Sequence, residues 1–514
     1  MKLPNENGWP LTRFIIPASP EMNIYTRIAG RTTSLGPIMA ATAASRIWGW
    51  RVEVIDENNY GGPRNENGLP DHSKLQAENP ASAVGFYCGL TSTMDRVFAL
   101  AKFYRAQGAI NIAGSWHTHY CPEEALNGNI DIVVHGDAEI VIRQILSSLQ
   151  KGESVSDISG ISFWDNGRQK RNPPGMLEIN LDELPYPDFG LLKYVKKLKL
   201  YPIGRIRGCG RNCEFCSVRG GVRWASARYL FNTVNWLVET RGADSFFIVD
   251  DRLEEDTNGT IEFFRLVSEK YSDSLSFAVQ IRLEAAKNVV FIEAMKKAGV
   301  RMVCVGYESP IDEDLFAMRK GYNSKKMIEW TKILRRHFWV HGMFIFGYPH
   351  SKKISELSVD EMAQRFRKFI RKAKISSIQI LHPVPIVGSD LRKRLEREGR
   401  LFPLDVVPWS KYDGSYTCFI PDNMTLAELQ EMPMRIMGWF YNRINSLKIL
   451  LRTAAFPFDY LIRGWYRWRR WHYERLGDLV KYDGRRLLKH WRKKQKKTLF
   501  LESLEKYTRE KNPD

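Results

Sequence analysis

Cys209, Cys213 and Cys216 fall within eight residues of one another, in the stretch Arg205-Ile206-Arg207-Gly208-Cys209-Gly210-Arg211-Asn212-Cys213-Glu214-Phe215-Cys216. A Cys-x3-Cys-x2-Cys loop can wrap three thiolates around three corners of a cubane iron–sulfur cluster. No fourth Cys or His lies near in sequence, so one iron would stay open to a small molecule. Structural zinc is the plainer alternative, but it almost always takes four protein ligands and would need a distant residue to complete them. A thioredoxin-like reading of Cys213-Glu214-Phe215-Cys216 would leave Cys209 without a role. The chain has seven cysteines, an odd number, which argues against a disulfide framework and for a metal or redox site.

The elements that must hold this loop come next. From about residue 200, β-type runs alternate with helical stretches six times, with strands over 201–207, 245–250, 275–282, 301–308, 340–348 and 377–384. Six such units without a topological break predict a partial (β/α)6 barrel, whose chemistry gathers at the carboxyl ends of the strands. The cysteine loop directly follows the first strand. Asp250 with Asp251, Arg282, Glu308 and Gly347 fall at the ends of later ones. Each has an ordinary reading beside the functional one: Arg282 and Asp251 as a rim ion pair, Gly347-Tyr348-Pro349 as a turn. Cys304 reads as a catalytic thiol or, better given Met302-Val303-Cys304-Val305, as a core residue.

Upstream, strands over 14–16, 51–55, 83–87, 110–113 and 132–134, with helices over 94–107 and 138–149, predict an α/β doubly wound parallel sheet of the Rossmann-like kind. Ligands on such sheets bind beyond the carboxyl ends of the strands. The polar stretch 151–188 reads as linker plus a small hairpin. After 390 the strands stop and the chain becomes helical, basic and aromatic. The expected division is therefore 1–150, 151–195, 196–390 and 391–514.

Charge follows that division. Residues 443–497 hold 17 Lys and Arg against 4 Asp and Glu, so +13 of the net +19 resides there. Within them Leu461, Trp465, Trp468 and His472 share one helical face among arginines. That pattern suits an anionic membrane surface or a helix packed on the barrel about equally. Nucleic acid ranks third, because no recognisable binding motif accompanies the charge. No apolar run approaches the ~18 residues of a membrane span. A cytoplasmic location, with peripheral membrane contact through the tail, is expected.

The cysteine pattern, with Phe215 just before its last member, resembles that of the radical S-adenosylmethionine (SAM) superfamily over roughly residues 195–390. The resemblance implies a 4Fe–4S cluster that binds SAM, its reductive cleavage, hydrogen abstraction from an unactivated carbon, and an external electron donor of flavodoxin or ferredoxin type. It implies SAM contacts at Phe215, Asp250, Asp251, Arg282, Glu308 and Gly347. The doubly wound domain in front resembles the cobalamin-binding subclass, with Leu35, Gly36, Asn58, Gly61, Ser92, Gly114, Gly136 and Glu139 as the implied cobalamin contacts. Cobalamin domains that coordinate cobalt carry Asp-x-His-x-x-Gly, whereas here Asp56-Glu57-Asn58-Asn59-Tyr60-Gly61 has Asn58 at the histidine position. The resemblance therefore implies cobalt without a histidine ligand, and a generic nucleotide-type fold without a corrin stays open. His117, His119 and Cys121 read as a metal site or, more simply, as polar lining. The leading expectation is methylation of an unactivated carbon in a small-molecule or lipid-like substrate. A cyclase or rearrangement enzyme of the same subclass and a non-catalytic iron–sulfur or cobalamin sensor are the alternatives.

Overall fold

The computed structural model describes residues 8–20, 31–174, 180–195, 198–218, 221–272, 274–350, 357–442, 444, 447 and 499–511. The aromatic and arginine-rich stretch 461–473 lies outside them, as does most of the basic segment.

Apolar runs buried on both faces form the first sheet. Its strands are β1 (Leu11–Ile16), β2 (Arg51–Asp56), β3 (Ala81–Tyr87), β4 (Ile110–Gly114) and β5 (Ile132–Val134), and a hairpin of β6 (Ile161–Asp165) and β7 (Arg168–Arg171) extends it. The order is β2-β1-β3-β4-β5-β6-β7. The first five strands are parallel and the hairpin adds antiparallel to β5, so the expected doubly wound sheet is present with a two-stranded extension. The direction in which successive strands are added reverses between β1 and β3, which makes a crevice at their carboxyl ends. Beneath β1, the fully buried Arg13 reaches Glu53 at 2.6 Å, its register partner on β2, and also Gln76, Tyr104 and the carbonyl of Asn79.

The second sheet is entirely parallel. After β8 (Tyr201–Ile203), a short antiparallel pair of β9 (Ile206–Arg207) and β10 (Arg223–Trp224) brackets the cysteine loop. Then follow β11 (Ser245–Ile248), β12 (Ser276–Ile281), β13 (Val300–Glu308), β14 (Trp339–Ile345) and β15 (Ser377–Leu381). The order β8-β11-β12-β13-β14-β15 follows the chain and stays open between β8 and β15. Period-two alternation decides which face the helices cover: Phe277, Val279 and Ile281 of β12 are buried, while Gln280 between them is exposed. The helix Ala227–Arg241 starts on a Ser226 cap and ends at Gly242 in the left-handed conformation.

One apolar core joins the two sheets. Phe14, Val54 and Val134 of the first, with Ile38 of the helix Leu35–Ala44, share it with Ile203, Phe246, Val303 and Val340 of the second. The opposite face of the first sheet is covered by the helix Met94–Ala106 and by the chain beyond 387. There Phe402, Val407, Trp409, Tyr412 and Leu504 pack with Leu11, Ile15 and Phe86. Among the described residues no helix is long and apolar enough to cross a membrane.

Candidate active site at the meeting of two sheets

The cysteine loop is anchored at both ends and in the middle. At its start Gly208 has φ +85°, and a Cβ there would stand 2.7 Å from the Gly221 carbonyl oxygen, so only glycine lets the β9–β10 pair close. The Gly208 and Gly210 N–H groups donate to Asp251 at 2.7 Å and Glu255 at 2.9 Å. Between the second and third cysteines, buried Glu214 accepts from Arg394 at 2.8 Å and from the Tyr348 hydroxyl at 2.7 Å. Phe215 meets the Tyr348 ring edge-on at 6.5 Å. The three thiols are partly exposed and form no disulfide. Burial pushes the Cys209 and Cys216 thiols upward, and each feels the charge of Cys213. The N–H of Val218 lies 3.4 Å from the Cys216 sulfur.

Beside this loop a cavity of about 320 Å3 opens where the carboxyl ends of both sheets meet. The first sheet contributes Leu35, Gly36, Gly114, Gly136 and Glu139, and the second contributes Arg207, Asp250 and Asp251. A Cβ on Gly36 would meet no protein atom within 4 Å, and one on Gly114 only Val134 at 3.7 Å, so backbone is open to a ligand along this wall. No histidine is among the lining residues. A charged clasp crosses the cavity: Arg207 binds Asp137 at 2.8 Å and Glu139 at 2.6 Å, and Arg223 binds Asp137 at 2.5 Å. Burial alone would raise Asp137, but the two guanidinium groups hold its carboxyl below the ordinary value.

Asp250 accepts the N–H groups of Arg205 at 2.6 Å and Ile206 at 2.9 Å through Oδ1. Its Oδ2 is buried without a partner, and burial pushes its carboxyl up to about 6. In Glu254, Oε1 takes the Arg282 N–H at 2.7 Å, Oε2 accepts no hydrogen bond and has only the Arg252 guanidinium at 4.0 Å, and burial pushes the carboxyl up to about 7. Buried carboxylate oxygens without donors are places where a cationic or N–H group from a ligand would be accepted.

Other residues singled out from the sequence lie elsewhere. Asn58, Gly61 and Ser92 are not in the cavity wall. Asn58 instead accepts the Ser19 N–H at 2.8 Å and donates to the Pro17 carbonyl at 3.0 Å, Gly61 donates to the Tyr194 carbonyl, and Ser92 is buried in the turn Thr91–Thr93. For Asn58 and Gly61 the cause is strand order: they follow β2, the edge strand, whereas the cavity spans β1, β3, β4 and β5. Arg282 pairs with Glu284 at 2.8 Å rather than with Asp251, and Glu308 pairs with the buried Lys320 at 3.0 Å. At Gly347, whose φ is +75°, a Cβ would stand 2.4 Å from Leu429, so the absent side chain makes room for the helix Leu426–Phe440. Cys304 is 8% exposed within β13. Sequence reasoning missed Glu214, Arg394 and Asp137 as anchors. Glu214 and Arg394 meet across 180 residues of chain, and nothing local announces such a pair.

Residues 203–356 match the family model of the radical SAM superfamily. This segment is a radical SAM domain. Such a domain takes a 4Fe–4S cluster and SAM as its cofactors. The chain is 27% identical over 468 residues to an uncharacterized methyltransferase of Pyrococcus horikoshii, across 88% of this chain and 97% of the relative. Its fold is similar to that of TsrM from Kitasatospora setae, a radical SAM methyltransferase solved with cobalamin and a 4Fe–4S cluster (TM-score 0.64, 14% identity, 85% of this chain and 90% of that one). It is also similar to OxsB, a cobalamin-dependent SAM radical enzyme (TM-score 0.63, 13% identity, 84% and 67%). Both likenesses extend beyond the radical SAM domain to the first sheet, since they cover more than four-fifths of the chain.

Proposed function

We propose that this radical SAM protein is a cobalamin-dependent methyltransferase acting on an unactivated carbon. The observation that carries the reading is the shared cavity bounded by glycine-rich strand ends of one sheet and by Arg207, Asp250 and Asp251 of the other, Arg207 being the last residue before the cysteine loop. Two cofactors that must exchange a group with one substrate need such a shared space.

The residues present fit the implied groups. Cys209, Cys213 and Cys216 would hold the cluster, with three thiols on one loop and no competing disulfide. The unpartnered Oδ2 of Asp250 would accept from the ammonium group of SAM. Gly36, Gly114 and Gly136 would let a broad, flat ring lie against the first sheet, with no histidine to coordinate its metal. When bound, the cluster and SAM supply one-electron hydrogen abstraction, and cobalamin supplies a transferable methyl group. The chain itself positions and excludes: the clasp of Arg207, Arg223 and Asp137 ties the cysteine loop to the first sheet. Phe14, Met39 and Ile142 keep the inner wall dry. In this reading residues 1–150 carry the corrin, 196–390 the radical chemistry, and a small reductase of flavodoxin or ferredoxin type supplies electrons.

The test is anaerobic reconstitution with iron, sulfide and cobalamin, followed by SAM and a strong reductant, with nucleosides read by mass spectrometry. Wild type is expected to accumulate both 5'-deoxyadenosine and S-adenosylhomocysteine, and Cys213→Ala to make no 5'-deoxyadenosine. 5'-Deoxyadenosine alone, with substrate supplied, would point to a cyclase or rearrangement enzyme instead. Neither product from cluster-loaded protein would remove the enzymatic reading.

A further inference from the structure

A second donor cluster lies outside the cavity. The helices Trp116–Tyr120 and Pro122–Asn127 meet at Cys121, just beyond the carboxyl end of β4. Neither is long enough to be stable alone, since isolated helices below ~12–15 residues are marginal in water. At their junction one ligand atom each from His117, Cys121 and Glu124 lies within 4.8 Å of the others. His117 is 1% exposed.

We propose that His117, Cys121 and Glu124 bind a zinc ion that pins this corner, independently of the radical chemistry. The donor set is one imidazole nitrogen, one sulfur and one carboxylate oxygen, the mixture that suits zinc. Tetrahedral zinc spaces its donors ~3.3–3.8 Å apart, so side-chain movements of about 1 Å bring the three protein donors to the ion, and a water would take the fourth position, as in zinc sites with three protein ligands. The donors are oriented from behind, as metal ligands usually are. The His117 Nδ1 is held by the Thr91 hydroxyl at 3.2 Å, which leaves Nε2 facing Glu124 Oε2 at 3.1 Å. The other oxygen of Glu124 accepts the Trp409 indole N–H at 2.6 Å. A thiolate and a carboxylate balance a dication. Arg392, 5.1 Å from the Trp409 ring centroid, has its own partner in Glu396 at 2.8 Å. The ion would couple the first sheet to the segment around Trp409, which packs edge-on against His117 at 4.9 Å.

Iron and zinc are measured by mass spectrometry on the same anaerobically reconstituted full-length protein, expressed with zinc in the medium. The proposal expects stoichiometric zinc in wild type, loss of most of it in Cys121→Ala and in Glu124→Gln with iron unchanged, and the reverse pattern in Cys213→Ala. Wild type without zinc, or zinc fully retained in Cys121→Ala, overturns it. Should the alanine variant misfold, cobalt(II) added to zinc-stripped, cobalamin-free protein carrying Cys209→Ser, Cys213→Ser and Cys216→Ser, so that the loop thiols cannot bind it, gives a second readout. A near-ultraviolet thiolate-to-cobalt band is expected in that protein and absent once Cys121→Ser is added with unchanged circular dichroism; a band that survives Cys121→Ser overturns the proposal.

Discussion

Asp250 holds its charge against its surroundings, and that conflict has a sign in pH. In an unfolded chain its carboxyl titrates near ~3.9; in the fold, burial pushes it up to about 6. A group whose pKa rises on folding stabilises the fold fully below its unfolded pKa, and that contribution is lost as pH rises through the folded value. The unpartnered Oδ2 is the physical origin. In Asp250→Asn the amide oxygen can still accept both N–H groups, and no charge is buried. We predict that the melting temperature of apo Asp250→Asn, relative to apo wild type, improves between about pH 4 and about pH 6 and levels off above about pH 7. Differential scanning fluorimetry across that range checks it, and a difference independent of pH would count against burial as the cause. Glu57 works in the opposite direction. Burial would raise it, but hydrogen bonds from His72 and Arg96 outweigh burial and hold it at about 2, so its contribution appears above its unfolded pKa and fades in acid.

At the scale of elements, the cysteine loop depends on a helix it does not touch in sequence. Arg394, on the helix Asp390–Arg397, meets Glu214 with both side chains nearly buried. Removing one partner of a buried ion pair strands the other and typically costs about 3–5 kcal/mol. Arg394→Met is therefore predicted to lower stability by about that amount and to retain less iron after reconstitution. The double variant Glu214→Gln with Arg394→Met should recover a large part of the stability. A double-mutant cycle in urea gives the coupling; additive effects would mean that the pair does not act as a unit. This pair also marks how far the sequence could be read. The eleven main strands were legible because each is a short β-rich run between turn residues, and the cysteine loop because ligand spacing is local. The path of β9 and β10 around that loop was not, since each is only two residues long. Asn58 was placed at a cofactor site by motif position, yet whether a loop reaches the crevice depends on strand order, and β2 proved to be the edge strand. Leu35, Gly36, Gly114, Gly136 and Glu139 do line the cavity, because they follow or adjoin strand ends in the centre of the sheet.

Across the whole molecule, the chain returns to where it began. The helix Phe500–Lys511 sits with Leu504 fully buried, Phe500 against Tyr416 at 5.1 Å and Tyr507 against Phe402 at 5.7 Å. Fully burying a large apolar side chain is worth roughly 1.5–3 kcal/mol. Ending the chain after residue 498 is thus predicted to lower the melting temperature and raise the binding of a hydrophobic dye, with the far-ultraviolet helix signal reduced only slightly. Unchanged dye binding and melting would show that this helix adds no protective cover.

That returning helix also sets a timetable for synthesis. Leu11 and Ile15 leave the ribosome well before Trp409, Tyr412 and Leu504, which share their core and are added about 400 to 490 residues later. At ~5–20 residues per second, part of the apolar surface of the first sheet waits on the order of tens of seconds for its permanent neighbours. The nascent chain must therefore be shielded from its own kind during translation, and its yield in a heterologous host should depend on chaperone supply before it depends on any cofactor.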